Sequence, residues 1–319
     1  MIFFLYIVLV FLVLRFSVTL FNFLSNPKIG NYGRSFTDKV LIIIKVQQGE
    51  EEAEKLIASI SVQDYKNYEI LIQPIHSPDV VAAAKGAYFL FLDANTLIQR
   101  GFINSLIYRT TVFKLALLSV IPTPRISGFI ANCIYPLADF VLLNLFPLRL
   151  VRLLKHPSFS MANGACLFFD AEIYRQYEWD EALKSSNQAA LEIMKMVKQE
   201  KLNADLLLGN KLIYQEESKP DVAGVSERLM LNFNQQPIVA LSYLILVIGG
   251  PIAMALTLAP VFLLLPYGLI FLSRMMIAYL TAQKPFPSIL YYPLQMISLT
   301  WLVVHQCWKS FLAVFKSKN

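Results

Sequence analysis

The sequence predicts an α/β domain flanked by membrane-spanning helices. Apolar runs of strand length alternate with helical patterns from Phe36 to Leu97, which is typical of a sheet covered by helices. The last of these strands ends in a lone aspartate, Asp93. Hydrophobic residues make up 56% of the 319 residues and charged residues 16%, with a mean hydropathy of +0.53. That composition is too apolar for an ordinary soluble domain and indicates membrane segments.

Residues 1–25 are predicted to form an N-terminal transmembrane anchor. The run from Met1 to Leu24 is interrupted only by Arg15 and is long enough to cross a bilayer. It has no basic segment before it and no small-residue cleavage site, so we expect a retained anchor and not a signal peptide. The nearest basic residues all follow this run: Lys28, Arg34 and Lys39. The positive-inside rule therefore places the following domain in the cytoplasm of a multi-pass cell-membrane protein.

Three strands are predicted in the first half of the chain. They are Val40–Ile44, Tyr68–Ile72 and Tyr88–Leu92, the last followed directly by Asp93. Between the first two strands, apolar residues at helical spacing give a helix one face that can cover the sheet. Ligands of open α/β sheets bind beyond the carboxyl ends of the strands, so Asp93 is a candidate binding residue.

The segments SVQDYKNYEILI and AKGAYFLFLDANTL resemble the first half of a family 2 inverting glycosyltransferase of the GT-A type. The resemblance continues through LSVIPTPRISGFIANCIYPLADF, FSMANGACLFFDAEIYRQYEWDEAL, ADLLLGNKLIYQEES and SERLMLNFNQQP. Over nearly its whole length the chain is similar to the membrane-bound subgroup of this family, which glycosylates lipids such as carotenoid acids. The resemblance implies a Rossmann-like mixed sheet and a glycosyltransferase domain over residues 36–236.

The resemblance also implies a donor site, with a divalent metal, Mg²⁺ or Mn²⁺, at an Asp-x-Asp motif. This chain reads Asp93-Ala94-Asn95 there, and an amide oxygen ligates a hard cation without the charge of a carboxylate. Asp79 would replace, at most in part, an aspartate that usually follows the second strand. Glu50 ends the segment that stands where the family has Asn-Glu. The implied donor-binding residues are Asp93, Asn95, Asp79 and Glu50.

The family's catalytic base, an aspartate in a Glu-Asp pair, aligns with Asn187 in the pair Ser186-Asn187. A neutral amide cannot usefully take the acceptor's hydroxyl proton. Ser and Asn are favoured helix caps, so we interpret this pair first as a cap. Asp180 and Glu181, slightly upstream, are the candidate substitutes for the base, and a solvated turn is their alternative interpretation.

Residues from Ile126 to Leu154 are apolar again, with basic residues interspersed. Two interpretations remain open: an amphipathic element on the bilayer surface, or a further set of buried helices. A transmembrane span is less favoured because Asp139 lies within the run.

Residues 237–315 are predicted to form a C-terminal membrane region of two or three helices. Ile238–Thr281 is too long for one span and contains Gly and Pro, which predicts two helices or a broken hairpin. Ile289–Val314 could supply a third span. Its polar residues favour instead a helix that lies partly in the interface: His305, Gln306 and Lys309.

The net charge and the spacing of the cysteines and histidines indicate which binding partners and metal sites to expect. The net charge of +6 is spread through juxtamembrane segments, which indicates attraction to anionic lipid and no nucleic acid partner. The cysteines and histidines are not spaced like metal ligands, and the cysteines are not spaced for disulfide pairing. We therefore expect structural thiols in a reduced compartment.

Two functions therefore fit the sequence. The first is a glycosyltransferase that moves a sugar from a nucleotide-sugar, a UDP-sugar in the first instance, onto a membrane lipid. The second is a degenerate glycosyltransferase-like protein that binds lipid or scaffolds the partners of a biosynthetic complex, which the missing carboxylates favour. A transporter is disfavoured because few spans flank a large soluble domain.

Overall fold

The computed structural model describes residues 2–46, 50–74, 86–177, 179, 186–216 and 222–316. By its internal contacts the chain divides into two compact units. The first, here called the sheet unit, comprises Pro27–Arg125 and Leu148–Glu217. The second, here called the helical unit, comprises Met1–Asn26, Ile126–Pro147 and Ser218–Asn319. The predicted division into 1–25, 36–236 and 237–315 concerns functional domains and stays a prediction.

The described strands of the sheet unit are β1 (Val40–Val46), β2 (Tyr68–Pro74), β3 (Tyr88–Asp93), β4 (Thr96–Ile98), β5 (Leu117–Ile121), β6 (Thr123–Arg125), β7 (Cys166–Asp170), β8 (Ala204–Leu208) and β9 (Ile213–Glu216). Its α-helices are α2 (Glu54–Ser61), α3 (Phe102–Phe113), α6 (Arg149–Leu153), α7 (Ala171–Tyr177) and α8 (Ser186–Gln199), and it has 3₁₀ turns at Glu50–Ala53 and Pro157–Phe159. This confirms the predicted α/β class and the three predicted strands of the first half.

The main sheet has six strands in the order β2-β1-β3-β7-β5-β8. Strand β1 pairs in parallel with both β2 and β3, with Val40 opposite Tyr68 on one side and Tyr88 on the other. Strand β7 runs antiparallel to β3 and to β5, which makes the sheet mixed. A smaller sheet of three strands has the order β4-β9-β6.

The core of the sheet unit lies between the main sheet and helices α2 and α3. Every residue of β1 is buried except Lys45, as its continuous apolar run predicts for a strand covered on both faces. The buried side chains that form this core from β1, α2, β3 and α3 include Ile42, Ile44, Leu56, Ile60, Leu90, Leu92, Phe102 and Leu106.

A buried ion cluster joins strand β8 to two helices. The Asp205 carboxylate is fully buried, and its Oδ2 accepts hydrogen bonds from Nε and Nη2 of Arg109 at 3.0 and 2.7 Å. Arg152 Nε lies 3.9 Å from the same oxygen. The Phe113 ring contacts both guanidinium groups, with ring centroid distances of 4.1 Å to Arg109 and 4.0 Å to Arg152. The two cations and the hydrogen bonds from Arg109 compensate the cost of burying the carboxylate.

The described helices of the helical unit are α1 (Ile2–Ser25), α4 (Phe129–Ile134), α5 (Pro136–Leu145), α9 (Val222–Leu231), α10 (Pro237–Leu244), α11 (Gly250–Thr257), α12 (Pro260–Leu280), α13 (Pro285–Leu290) and α14 (Tyr292–Lys316). A π-helical turn at Ile245–Gly249 joins α10 to α11 without a break. Three helices are long and apolar enough to cross a membrane: Ile2–Ser25, Pro237–Thr257 and Pro260–Leu280. Helix α14 does not reach this apolarity.

Helix α5 is held against α1 by buried polar contacts. Asn22 Nδ2 donates to the carbonyl oxygens of Leu143 at 3.0 Å and Phe146 at 2.9 Å. Phe140 and Val141 are also buried. Of the two interpretations left open for residues 126–154, buried helices therefore describe α5, and a helix lying on a bilayer surface does not.

Replacing Asp205 with Ala would leave Arg109 buried without its counter-ion. We expect the free energy of unfolding to fall by about 3–5 kcal/mol, the usual effect of breaking a buried ion pair. The matched control is Glu69→Ala, which breaks the exposed Lys39–Glu69 pair of 2.6 Å and should cost at most about 1 kcal/mol. Denaturant unfolding of the detergent-solubilised protein measures both, and equal effects would contradict the prediction.

Candidate functional site

The candidate site lies at the carboxyl edge of the parallel strands of the main sheet. Because β1 and β3 are parallel and in register, Lys45 of β1 lies opposite Asp93, the last residue of β3. Strand β7 is antiparallel to β3, so it begins at this edge, with Cys166 opposite Leu92. The ends of β1 and β3 and the loop before β7 therefore lie at this edge. Ligands of such sheets bind at the carboxyl edge.

The backbone around Asp93 is held in place by three hydrogen bonds. Asp93 N donates to Ala165 O at 3.1 Å, and Ala94 N donates to Lys45 O at 3.1 Å. The Thr96 hydroxyl donates to Asp93 O at 2.7 Å. The Asp93 side chain is half-buried, and its turn is fixed on both sides. Such support suits a side chain that must present its carboxylate to a ligand.

Cys166, directly behind this turn, is fully buried. Burial, reinforced by the negative charge of Asp93, raises the pKa of the Cys166 thiol. The thiol therefore stays protonated at neutral pH and acts as a small core residue, as the sequence predicts for the cysteines.

Asn95, the other predicted donor ligand of the Asp-x-Asn turn, is exposed at the same edge. Its main-chain carbonyl oxygen accepts a hydrogen bond of 2.8 Å from the main-chain N of Glu216 on β9. The structure thus brings Asp93 and Asn95 together at one edge, and it fastens their turn to the smaller sheet.

Sequence reasoning missed a charged cluster beside this turn. The Glu216 carboxylate accepts hydrogen bonds from Lys55 Nζ at 2.7 Å and from Arg125 Nη1 at 3.3 Å. The hydrogen bond from Lys55, with the charges of both cations, lowers the pKa of Glu216. Arg125 also lies over the Tyr214 ring, 4.3 Å from its centroid. No local pattern predicts this cluster, because its members are far apart in sequence.

Lys45 is a second residue that sequence reasoning missed. It is the one charged residue in β1, and its Nζ lies 5.4 Å from the centroid of the Phe91 ring. The interruption of the apolar run by a lysine beside the strand end was a usable signal, because a cation there can face an anionic ligand.

The loop before β7 is shaped by side-chain hydrogen bonds. Asn163 Oδ1 accepts from Ala165 N at 2.9 Å. The Ser119 hydroxyl donates to Asn163 O at 3.0 Å and accepts from Asn163 N at 2.9 Å. These bonds fix the loop that also holds the Asp93 backbone, so it forms one wall of the edge.

The other predicted site residues are only partly covered by the structure. Asp79, Asp180 and Glu181 lie outside the described residues. Glu50 begins the 3₁₀ turn and Asn187 is the second residue of α8, but the side chain of neither is described. The roles predicted for these five residues stay predictions.

A metal would find one carboxylate and one amide at the turn, from Asp93 and Asn95. Among the described residues no group of three or more His, Cys, Asp or Glu side chains could hold a metal ion. Mg²⁺ and Mn²⁺ are commonly held by one or two carboxylates together with substrate phosphates and water. The donor set therefore fits a metal that arrives with a diphosphate, and it does not form an all-protein metal cage.

No protein family model and no curated protein sequence matches this chain. Among solved structures, it is similar to the mannosyltransferase PcManGT from Pyrobaculum calidifontis, in complex with GDP-Man and Mn²⁺. The TM-score is 0.50 at 12% identity, covering 96% of this chain and 99% of that one. The similarity is in the fold.

S. aureus TarS 1-349 is also similar. Its complex with UDP gives a TM-score of 0.37 at 12% identity, covering 76% of this chain and 80% of that one. Its complex with UDP-GlcNAc gives 0.38 at 9% identity, covering 83% and 90%. These low TM-scores carry no argument. The similarity to the mannosyltransferase shows that this chain has a glycosyltransferase fold of the GT-A type.

Proposed function

We propose that this protein is a membrane-anchored glycosyltransferase that moves a sugar from a nucleotide-sugar to a lipid acceptor at the cytoplasmic face of the cell membrane. The observation that carries the proposal is the fold, which is shared with a mannosyltransferase over 96% of this chain. Three helices apolar enough to span a bilayer support a membrane location, where a lipid acceptor is at hand.

The donor would bind at the carboxyl edge, with Asp93 and Asn95 facing the ribose and the diphosphate. Lys45 and Arg125 add positive charge near the same edge, which suits a diphosphate. The mannosyltransferase binds GDP-Man, and the sequence resemblance favours a UDP-sugar, so both classes of donor are to be tested.

The transfer proposed is an inverting displacement. The acceptor oxygen forms a bond to the anomeric carbon while the bond from that carbon to the nucleotide diphosphate breaks. The acceptor's proton passes to a base, and the leaving diphosphate carries away the negative charge. A divalent ion, when bound, would neutralise part of that charge. The residues of this chain would hold the diphosphate in line and exclude water from the anomeric carbon.

The proposed displacement needs a base for the acceptor's proton. Asn187, at the family's base position, has no usable lone pair for a proton, so Asp180 or Glu181 would have to take that role. General-base assistance contributes about 10²–10⁴-fold in rate. Without it the enzyme would be slow.

The missing charges support a second candidate function, a glycosyltransferase-like protein without activity. Asn95 and Asn187 both replace carboxylates that the family uses. Such a protein would keep the fold and the membrane helices, and would bind lipid or hold together the partners of a biosynthetic complex. Donor binding and turnover, measured separately, distinguish the two functions.

The orientation of the sheet unit can be tested by cysteine labelling from outside intact cells. We expect a cysteine at the exposed Lys66 position to be protected from an impermeant thiol reagent, because the basic residues after α1 favour the cytoplasm. Ala259→Cys, in the exposed link between α11 and α12, is the control and should react. Labelling at position 66 with protection at position 259 would reverse the orientation.

Replacing Asp93 with Asn should weaken nucleotide-sugar binding tenfold or more, because hydrogen bonds to charged groups contribute about 1.5–3 kcal/mol. Asp170→Asn is the matched control: Asp170 is a half-buried aspartate at the end of β7, at the opposite edge of the sheet. Calorimetric titration with UDP-sugars and GDP-mannose, with and without Mn²⁺, measures both. Unchanged affinity in the Asp93 variant would show that the donor does not bind at this edge.

The double variant Asn95→Asp with Asn187→Asp should raise the rate of transfer to a lipid extract by about 10²-fold or more. Stability should change little, because Asn187 lies in the first turn of α8, where a negative charge is favourable. Asn95→Asp alone is the control for donor binding. High activity in the unmodified protein would show that another group serves as the base.

A further inference from the structure

The helical unit buries two arginines within helices that are apolar enough to span a membrane. Arg15 of α1 is 6% exposed and Arg274 of α12 is 2% exposed. A cation inside a membrane is costly and usually has a partner that explains it. The partners of these two residues differ, and the difference indicates a site.

Arg274 has protein partners for its hydrogen bonds. Its Nε donates to Ser288 O at 3.2 Å, and its Nη2 donates to Gln295 Oε1. Its guanidinium lies 5.1 Å from the centroid of the Phe140 ring. Both hydrogen-bond partners are neutral, so the positive charge of Arg274 is held in place without being neutralised.

Arg15 is surrounded by aromatic rings and has no polar partner among the described residues. Its guanidinium carbon lies 5.5 Å from the ring centroids of Phe11 and Phe140 and 5.4 Å from that of Tyr243. Within the described residues its Nε is buried without a hydrogen-bond partner, and so is the Tyr243 hydroxyl. Cation–π contact offsets part of the cost of burial, but the N–H and O–H donors still need an acceptor.

The helical unit supplies no counter-ion for these arginines in its described part. The acidic residues there are Asp139 and Glu227, and neither forms an ion pair with Arg15 or Arg274. Both guanidinium groups lie near the Phe140 ring, so two positive charges are concentrated in one apolar region. An external anion would neutralise them.

A small recess opens beside Arg15. It is lined by Arg15, Phe140, Ser273 and Tyr292 together with three aliphatic side chains of α1 and α12. It has room for a group about the size of a water molecule, which is also the size of one oxygen of a phosphate or carboxylate. The polar lining is made of donors, as an anionic oxygen requires.

In a membrane the recess would lie no deeper than about the bilayer midplane, as distances from the helix ends show. Helix α1 runs antiparallel to α10 and α11, since Val8 abuts Gly250 and Arg15 lies beside Tyr243. The ends at Ser25 and Pro237 are therefore on one side. At a rise of about 1.5 Å per residue, Arg15 is about 15 Å from Ser25 and Tyr243 about 9 Å from Pro237. Half of a hydrocarbon core is about 15 Å.

We propose that this recess receives an oxygen of the anionic group, phosphate or carboxylate, of a membrane amphiphile. Arg15, Ser273 and Tyr292 of its lining would donate to that group, and Arg274 would add positive charge. The apolar chain would lie along the exposed leucine and phenylalanine side chains of α1 and α12. All the residues of this site belong to the helical unit, so its occupancy can be tested without a nucleotide-sugar.

The experiment uses the full chain purified in neutral detergent. Phosphatidylglycerol and phosphatidylcholine with the same acyl chains are added, and retained lipid is counted by native mass spectrometry alongside thermal unfolding. We expect phosphatidylglycerol to be retained and to raise the Tm, and phosphatidylcholine to do neither. Arg15→Leu should weaken retention tenfold or more. Lys284→Gln removes an exposed charge of the same unit and should leave retention unchanged.

Stability separates a binding role from a structural one. Arg15→Leu removes an uncompensated buried charge, so the lipid-free variant should be as stable as the unmodified protein or more so. If that variant does not fold, Tyr292→Phe decides, because it removes only the hydroxyl of a residue that lines the recess and should weaken retention severalfold. Equal retention by the unmodified protein and the deciding variant would overturn the proposal. Stabilisation by inorganic phosphate without any effect of phosphatidylglycerol would overturn the assignment to a lipid.

Discussion

The parallel pairing of β1 with β2 and β3 is the constraint on which the candidate site depends. Because the three strands are parallel, their carboxyl ends all lie at the same edge of the sheet. The apolar residues that make β1 a buried strand therefore also bring Lys45 opposite Asp93. Strand β7 enters the sheet in the reverse direction, and its preceding loop closes the edge through the bond from Asp93 N to Ala165 O.

Buried charge is treated differently in the two units. In the sheet unit Asp205 is enclosed by Arg109 and Arg152, and the cluster ties a strand to two helices. In the helical unit Arg15 has aromatic neighbours but no acceptor among the described residues. In the first arrangement charges of opposite sign meet within the protein, so it is structural. The second is incomplete, which is why it points to a ligand.

The candidate donor site combines a well-supported backbone with a reduced charge. Hydrogen bonds from both sheets hold the turn of Asp93 and Asn95, so its geometry would suit a nucleotide-sugar. The turn offers a single carboxylate, and Asn187, which the sequence resemblance aligns with a catalytic base, is a neutral amide. A hydrogen-bonded turn with few carboxylates agrees with a slow transferase and equally with a binding protein of the same fold. The difference between them rests on a few side chains and not on the fold.

The sequence by itself determined the features that depend on neighbours along the chain: the strands around Asp93, the long apolar helix Ile2–Ser25 and the apolar helices Pro237–Thr257 and Pro260–Leu280. Periodicity and chain-breaking residues carry that information locally. The resemblance further identified the fold, which the structural comparison confirms. Only the tertiary structure decided that α5 is buried, that Glu216 joins Lys55 and Arg125 beside Asn95, and that no described residue accepts a hydrogen bond from Arg15. Each of these depends on residues brought together across more than 60 positions of sequence, and no local pattern records such contacts.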